Sequence, residues 1–327
     1  MMQTLLTAPV AMRRAGAGSL FVAALIASPL SFAQDAAQWL ARVSKAARTL
    51  NYTGTIVYQF GGRSETSRIV HLNEGGQEWE KLVSLDGPAR EVIRSAGEVR
   101  CYYPDAKMVR IEPRTFRNVF PSLSAEQMRN LAQYYNFRVV DGERIAGHTA
   151  DIVVFEPKDG LRYGHRFWAD AATGLLLKAR MINERGDVIE QFAFTDVAVN
   201  AKIDRDMVKP SWPAAPVDWE VKQGSGADTP HETGWLVGKV PPGFAKIMEG
   251  FRTLRGKQPV AHIVYSDGLV AVSVFVEPTS LTQTQIGFSQ QGGINVFSVK
   301  NDAYLVTVLG EAPPATIRQI AQSVARR

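Results

Sequence analysis

The spacing of hydrophobic residues along the chain changes at residue 51. Before it, Trp39, Leu40, Val43, Ala46 and Leu50 recur at helical spacing, which predicts an amphipathic helix over residues 35–50. After it, hydrophobic and polar residues alternate in short runs separated by Gly- and Asp-containing turns, a pattern typical of half-buried antiparallel strands. The chain therefore begins its fold with one helix and continues as a β meander.

In the first two thirds of the chain the period-two runs predict about eleven short strands, turning often enough to pair with antiparallel neighbours. They cover residues 52–60, 64–73, 77–85, 90–95, 98–103, 107–111, 137–145, 149–156, 162–169, 175–183 and 187–197. A second helix is capped by residues 124–127 and runs to about residue 135. A sheet of this length curls, so we expect an open or half-closed barrel with helices on its concave face. Such a shape can hold an apolar ligand.

A polar, Pro- and Gly-rich stretch at residues 213–232 predicts a linker between a β domain at residues 34–212 and a smaller domain at residues 233–327. The small domain is predicted to be α+β, with Asp267-Gly268 as a strong hairpin signal. Its predicted strands cover residues 232–240, 260–266, 269–278, 293–300 and 303–309, with a strand or a turn at residues 244–254, and its helix covers residues 315–325. The predicted fold class is mainly β with helices.

Residues 1–33 have the pattern of a cleaved signal peptide. Arg13 and Arg14 precede an apolar run at residues 20–26, and Ser31-Phe32-Ala33 fits a cleavage site. Secretion into a bacterial periplasm is the predicted localisation. Removing this segment lowers the formal net charge from +5 to +3 because it carries two arginines and no acidic residue. That mild excess does not indicate a nucleic-acid partner.

The residue types needed for catalysis are scattered. The five histidines at positions 71, 148, 165, 231 and 262 show no metal-ligand spacing, and no Gly-rich phosphate loop is present. Cys101, the single cysteine, lies mid-strand and is interpreted as a buried hydrophobe rather than a nucleophile. Ser266 does not stand in a nucleophile elbow. We therefore expect no enzyme activity, no metal and no cofactor.

An irregular apolar segment and two aromatic residues are the candidates for lipid contact. Phe116, Val119, Phe120 and Leu123 lie in a loop between predicted elements, where apolar side chains are poorly covered. Trp79 and Tyr103 are assigned to the concave face of the curled sheet. Ordinary core packing is the alternative interpretation for these aromatic residues.

The whole mature chain resembles the RseB/MucB family of periplasmic regulators of the envelope-stress sigma factor sigma-E. No single motif carries the resemblance; the order of several short segments does. They are YTGTIVY at residues 52–58, HLNEGG at 71–76, EWEKL at 78–82, LDGPAREV at 85–92, Tyr134-Tyr135, PPGF at 241–244 and YSDGL at 265–269.

The resemblance implies a large domain similar to the lipoprotein carriers LolA and LolB, an unclosed β-barrel with a lipid cavity. It implies binding to the periplasmic region of the anti-sigma factor RseA, or MucA, and shielding of that region from the site-one protease DegS. Lipopolysaccharide or a related lipid would be the releasing signal. It also implies that the small domain makes much of the anti-sigma contact. Exposure and architecture, rather than the resemblance, make Tyr265, Asp267 and Leu269 the candidate partner-binding residues, with hairpin and core packing as the alternative.

Two other functions remain open at this stage. A lipid or lipoprotein carrier of the LolA type would need only the first domain, so the second domain argues against it. A hydrolase is disfavoured by the dispersed histidines. The sequence leaves open whether the protein is a monomer or a homo-oligomer.

Overall fold

A computed structural model describes residues 29–95, 97–113, 125–213, 216–223, 231–253, 259–281 and 286–327. The helices are α1 Pro29–Thr49, α2 Ala125–Tyr134 and α3 Pro314–Ala321. The strands of the first sheet are β1 Tyr52–Phe60, β2 Arg63–Glu74, β3 Gln77–Ser84, β4 Glu91–Arg94, β5 Glu98–Tyr103, β6 Met108–Pro113, β7 Tyr135–Ile145, β8 His148–Pro157, β9 Gly164–Asp170, β10 Leu176–Ile182, β11 Val188–Val199 and β12 Glu220–Gln223. The remaining strands are β13 Trp235–Val237, β14 Ala245–Thr253, β15 Pro259–Ser266, β16 Ala271–Pro278, β17 Gly287–Gln291, β18 Ile294–Asn301, β19 Tyr304–Gly310 and β20 Val324–Arg326.

The first sheet has twelve strands in the order β12-β6-β5-β4-β3-β2-β1-β11-β10-β9-β8-β7. Two meanders meet where β1 pairs antiparallel with β11, and among the described strands of this sheet only the β12–β6 pair is parallel. Within the part of the chain that the structure describes, the outer strands β7 and β12 do not pair with each other, so the sheet is unclosed. The predicted fold class, a mainly β protein with an unclosed antiparallel sheet and few helices, is confirmed.

Both faces of β8 are buried, which fixes where α1 lies. Val153 and Phe155 belong to a cluster with Trp39, Leu40 and Val43 of α1. Ile152 and Val154 point to the opposite face, since successive strand residues alternate, and join a second cluster that extends to β1, β2 and β11. Helix α1 covers the first face, and the second face packs against strands further along the same sheet, so the sheet curls around this second cluster.

The chain within and just before the predicted linker is attached to the first sheet. Glu91, on β4, accepts hydrogen bonds from the backbone N–H of Ser211 at 2.7 Å and from its hydroxyl at 2.6 Å. Lys81 forms an ion pair with the same carboxylate at 3.1 Å. Beyond this anchor, Trp212 and Trp219 have their rings 5.1 Å apart, and β12 adds to the edge of β6. Residues 220–223 are thus a strand within the segment predicted to be a linker.

The small domain has a six-stranded antiparallel sheet in the order β14-β15-β16-β19-β18-β17, with α3 packed across β18 and β19. The prediction of a helix over residues 315–325 is wrong at its end: α3 stops at Ala321 and Val324–Arg326 forms β20, paired with β13. Val324 is buried in the domain core, and an extended backbone places it there. Strand β17 was not predicted, since four of its five residues are exposed and show no alternation.

At the N-terminus, α1 begins at Pro29, inside the segment predicted to be a signal peptide. Residues 1–28 of that segment lie outside the described residues. Among the described helices, none is long and apolar enough to span a membrane.

Candidate functional site

The two domains meet at a buried arginine. Arg162 lies in the turn between β8 and β9 of the first domain, and its side chain has no solvent exposure. Its guanidinium bonds Asp159 in the same turn and the carbonyl oxygen of Pro242 in the small domain. Its Nε lies 3.4 Å from Oδ2 of Asp267, also in the small domain. One side chain therefore makes polar contacts on both sides of the domain boundary.

Asp267 occupies the hairpin between β15 and β16, as the Asp-Gly signal predicted. Its Oδ1 accepts hydrogen bonds from the backbone N–H groups of Leu269 at 2.9 Å and Val270 at 3.1 Å. Its Oδ2 accepts a hydrogen bond from the hydroxyl of Tyr135 at 3.2 Å. One oxygen thus holds the turn, and the other faces the first domain.

Aromatic rings enclose the guanidinium of Arg162. Its central carbon lies 4.5 Å from the ring centroid of Tyr134 and 5.3 Å from that of Phe244, a cation–π geometry that contributes more when water is excluded. Gly243 packs directly on Tyr134: a Cβ at this position would come within 2.4 Å of the ring. The Pro241-Pro242-Gly243 turn can approach this closely only because residue 243 has no side chain.

The electrostatics of this centre depend on Arg162. Burial raises the pKa of Asp267, while the two backbone N–H groups, the guanidinium and the Tyr135 hydroxyl act in the opposite direction. Burial, together with the negative charge of Asp267, raises the pKa of Tyr135 well above its usual value, so the phenol stays a hydrogen-bond donor. A charged Asp267 is therefore stable here only while its cationic and N–H partners remain in place.

Neutral hydrogen bonds extend the domain contact beyond Arg162. The side-chain amide of Asn295 donates to the hydroxyl of Tyr163 at 2.8 Å. The hydroxyl of Thr316, in α3, donates to the carbonyl oxygen of Leu161 at 2.9 Å. Residues 161–163 thus make three successive contacts with the small domain.

The residues predicted to bind a partner lie at or near this contact. Asp267 is buried in it, and Leu269 packs against the first-domain cluster that contains Trp39 and Phe155. Tyr265 is buried in the core of the small domain. The structure brings Asp267 and Leu269 together and gives both a role in joining the domains. Their part in binding a partner stays a prediction.

Trp79 lines a separate cleft of about 310 Å³ on the first domain. Its lining also includes apolar Ile93, Val208 and Pro210, cationic Arg100, Arg205 and Lys209, and Glu98, which pairs with Arg100. The guanidinium carbon of Arg205 lies 4.7 Å from the Trp79 ring centroid. The volume is at the lower end of the range for small-molecule sites.

Tyr103 and Trp79, both assigned from the sequence to the concave face, lie on opposite faces. Lys81 pairs with Ile93, and Ile93 pairs with Arg100, so these three side chains share a face. Trp79 is two residues before Lys81 on the same strand and therefore lies on that face as well. Tyr103 is three residues beyond Arg100 and points the other way. The prediction of a shared face is wrong because the strand register, which the sequence does not reveal, sets this parity. The other lipid candidates, Phe116, Val119, Phe120 and Leu123, lie outside the described residues.

The remaining titratable groups do not assemble into a reactive cluster. Among the described residues, no group of three His, Cys, Asp or Glu side chains could hold a metal ion. Burial lowers the pKa of His165 and of His262 to about 4. Burial also raises the pKa of the Cys101 thiol, which disfavours the reactive thiolate.

The sequence interpretation missed Arg162 as a key residue. The sequence pattern predicted Arg162 to begin a strand over residues 162–169, whereas it lies in the turn before β9 and is buried in contact with the small domain. The flanking residues Leu161 and Tyr163 were the available signal, since an apolar pair in a polar turn indicates a covered surface.

These features define a class: a predominantly antiparallel β protein with an unclosed large sheet and a small α+β domain joined through a buried charged contact. The sequence model of the MucB/RseB N-terminal domain matches residues 35–212, and that of the MucB/RseB C-terminal domain matches residues 229–325. The chain belongs to the MucB/RseB family.

Two relatives match almost end to end. The sigma factor AlgU regulatory protein MucB of Pseudomonas aeruginosa is 32% identical over 319 residues, covering 93% of this chain and 95% of its own length. The sigma-E factor regulatory protein RseB of Salmonella typhimurium is 27% identical over 312 residues, covering 93% of this chain and 96% of its own.

The fold also matches a crystal structure of MucB in complex with MucA(peri). The TM-score is 0.70 at 30% identity, and the match covers 90% of this chain and 99% of that one. The similarity therefore includes both domains.

Proposed function

We propose that this protein is a periplasmic regulatory binding protein that holds the periplasmic region of an anti-sigma factor of the RseA/MucA type. The observation that carries the proposal is the match of both domains to a MucB structure solved with MucA(peri). Relatives from two genera, named as regulators of sigma factors, support the same role.

The direct test is complex formation. The mature chain is mixed with the purified periplasmic region of the anti-sigma factor encoded in the same genome, and the mixture is analysed by size-exclusion chromatography with light scattering. The proposal predicts one co-eluting species. The molar mass from light scattering gives the stoichiometry of this complex and shows whether the protein is a homo-oligomer. Separate elution at micromolar concentrations would overturn the proposal.

In this role the bound protein shields the anti-sigma factor from a site-one protease of the DegS type, and sigma-E stays inactive. No metal or cofactor is needed for such a function, and we propose that the protein is not an enzyme. The signal-peptide pattern of residues 1–33 supports a periplasmic location, and N-terminal sequencing of the exported protein would test it.

Lipid or lipopolysaccharide is the proposed releasing signal. The Trp79 cleft supports this part of the proposal, since apolar side chains and the ion-paired cations Arg100, Arg205 and Lys209 line it together. Adding lipopolysaccharide micelles to the preformed complex should release the anti-sigma region, whereas micelles of an uncharged detergent should not. A carrier of the LolA type would instead move lipoproteins between membranes, and a transfer assay separates the two functions.

A further inference from the structure

The contacts across the domain boundary are of two kinds, neutral hydrogen bonds and one buried ion pair. Two neutral pairs, Asn295–Tyr163 and Thr316–Leu161, join the two domains through buried side chains. At the centre, Arg162 meets Asp267, and their side chains are 0% and 1% exposed. A neutral pair loses little when water replaces it, but two buried charges must stay together or both become solvated.

This difference gives the domain boundary two distinct states. In the closed state Asp267 is surrounded by Arg162, Tyr135 and the N–H groups of its own turn. A partial opening would leave both charges in an apolar surrounding of aromatic rings without their partners. Intermediate positions are therefore disfavoured, and the small domain is either docked on Arg162 or free of it.

The first-domain side of this centre is the end of α2. Tyr134 is the last residue of the helix, and its carbonyl oxygen accepts a hydrogen bond from the backbone N–H of Lys158 at 2.8 Å. The Lys158 ammonium donates to the carbonyl oxygen of Ala132 at 2.7 Å. The ring of Tyr134 lies between Arg162 and Gly243. A shift of α2 would therefore move the ring on which both Arg162 and the small domain rest.

We propose that Arg162, Asp267 and Tyr135 form an interdomain latch that fixes the orientation of the small domain, and that α2 controls whether the latch is closed. This inference rests on the proposed function in one respect: the closed orientation is the one that holds the anti-sigma region. A ligand that displaces α2 opens the latch and weakens that binding.

The latch itself is tested by a distance measurement that needs no partner. Spin labels are placed at Ala198→Cys in the first domain and Lys300→Cys in the small domain, both exposed positions, with Cys101→Ser removing the native thiol. Double electron–electron resonance then reports the distribution of interdomain distances. The protein with an intact latch should give one narrow distribution.

The variant Asp267→Asn removes the charge but keeps an oxygen that can accept the N–H groups of Leu269 and Val270, so the hairpin is preserved. It should broaden or shift the distance distribution. Arg138→Gln is the matched control, because it breaks an exposed first-domain ion pair with Glu156 and should leave the distribution unchanged. If Asp267→Asn does not fold, Arg162→Lys serves instead, since lysine keeps the charge but loses the forked hydrogen bonds.

An unchanged narrow distribution in folded Asp267→Asn would overturn the latch. In a second measurement, the variant should bind the periplasmic anti-sigma region at least fivefold more weakly than the control. A broadened distribution with unchanged affinity would overturn the link between orientation and binding. If the unmodified protein does not bind the region, the proposed function fails, while the latch is still judged by the distances.

Discussion

The Nε atom of Arg162 lies 3.4 Å from Oδ2 of Asp267, and the two residues come from different domains. Both side chains are removed from water, so each depends on the other for its charge to be stabilised. Replacing only one of the two residues should therefore be costly, because it leaves the other charge buried without its partner. This relationship makes the domain contact testable by single substitutions.

Replacing Arg162 with alanine should lower the free energy of unfolding by about 3–5 kcal/mol, because it leaves the buried Asp267 carboxylate without its cation. The measurement is chemical denaturation followed by tryptophan fluorescence and circular dichroism. The matched control is Arg138→Ala, whose ion pair with Glu156 is about half exposed, and it should cost less than about 1 kcal/mol. Equal costs for the two variants would contradict the central place of Arg162.

Gly243→Ala should be more harmful than an alanine placed at another glycine of left-handed backbone. Gly62 has φ +77° with open space around its Cβ position, so Gly62→Ala should cost only about 1–2 kcal/mol of backbone strain. Gly243 has φ +86°, and its added methyl would also meet the Tyr134 ring. Overpacking should add about 1–3 kcal/mol, measured from thermal or denaturant unfolding.

A double substitution tests whether the Tyr134 ring is what an added methyl group at residue 243 meets. Combined with Tyr134→Ala, the Gly243→Ala substitution should cost about 1–3 kcal/mol less than it does alone, since the ring that the methyl meets is gone. Strict additivity of the two substitutions would show that the ring contact does not limit residue 243.

Stability should fall in acid because of His262. Burial lowers its pKa to about 4, and its ring stacks on Phe275 with centroids 4.2 Å apart. An unfolded histidine has a pKa of about 6.5, so the unfolded state binds the proton first. The contribution of neutral His262 to the free energy of unfolding is complete above pH about 6.5 and is lost as the pH falls toward 4. The loss is about 3 kcal/mol at most.

The variant His262→Phe should reduce this pH dependence while keeping the stack on Phe275. His165, whose pKa burial also lowers to about 4, should carry the remainder. Denaturation midpoints measured between pH 4 and 7 provide the comparison. A variant with the same slope as the unmodified protein would exclude His262 as a source of acid sensitivity.

Glu91→Ala should release residues 209–213 from the first sheet. The carboxylate accepts hydrogen bonds from both the N–H and the hydroxyl of Ser211 and pairs with Lys81, so its loss removes all three contacts. Limited proteolysis should then cut this segment faster. Ser211→Ala removes only one of these hydrogen bonds and should have a much smaller effect. Unchanged proteolysis in Glu91→Ala would show that the segment is held by other contacts.

Strand pattern and turn chemistry could be predicted from the sequence because each is local. The alternation from Tyr52 onward marks strands whose inner residues are buried, and paired glycines such as Gly75-Gly76 adopt the positive φ angles that a tight turn requires. These signals give the order of the strands along the chain. They do not reveal the register of the strands, and it is the register that puts Trp79 and Tyr103 on opposite faces.

Three features lacked a local signal. Residues 220–223 are all exposed and pair with β6, so their side chains show no alternation of buried and exposed positions. Residues 324–326 continue a helical pattern but pair as a strand with residues far away in the sequence. Arg162 is buried only because the small domain covers it. In each case long-range contact, rather than local preference, decides the structure.

The proposed shielding of an anti-sigma factor of the RseA/MucA type is tested by the rate at which that factor is cleaved. The periplasmic region of the anti-sigma factor is incubated with its activated site-one protease, with and without a molar excess of the mature protein, and the intact fragment is quantified over time. We predict that cleavage is at least tenfold slower when the protein is present, and that lipopolysaccharide restores the rate. Equal cleavage rates with and without the protein would mean that it does not shield the anti-sigma factor.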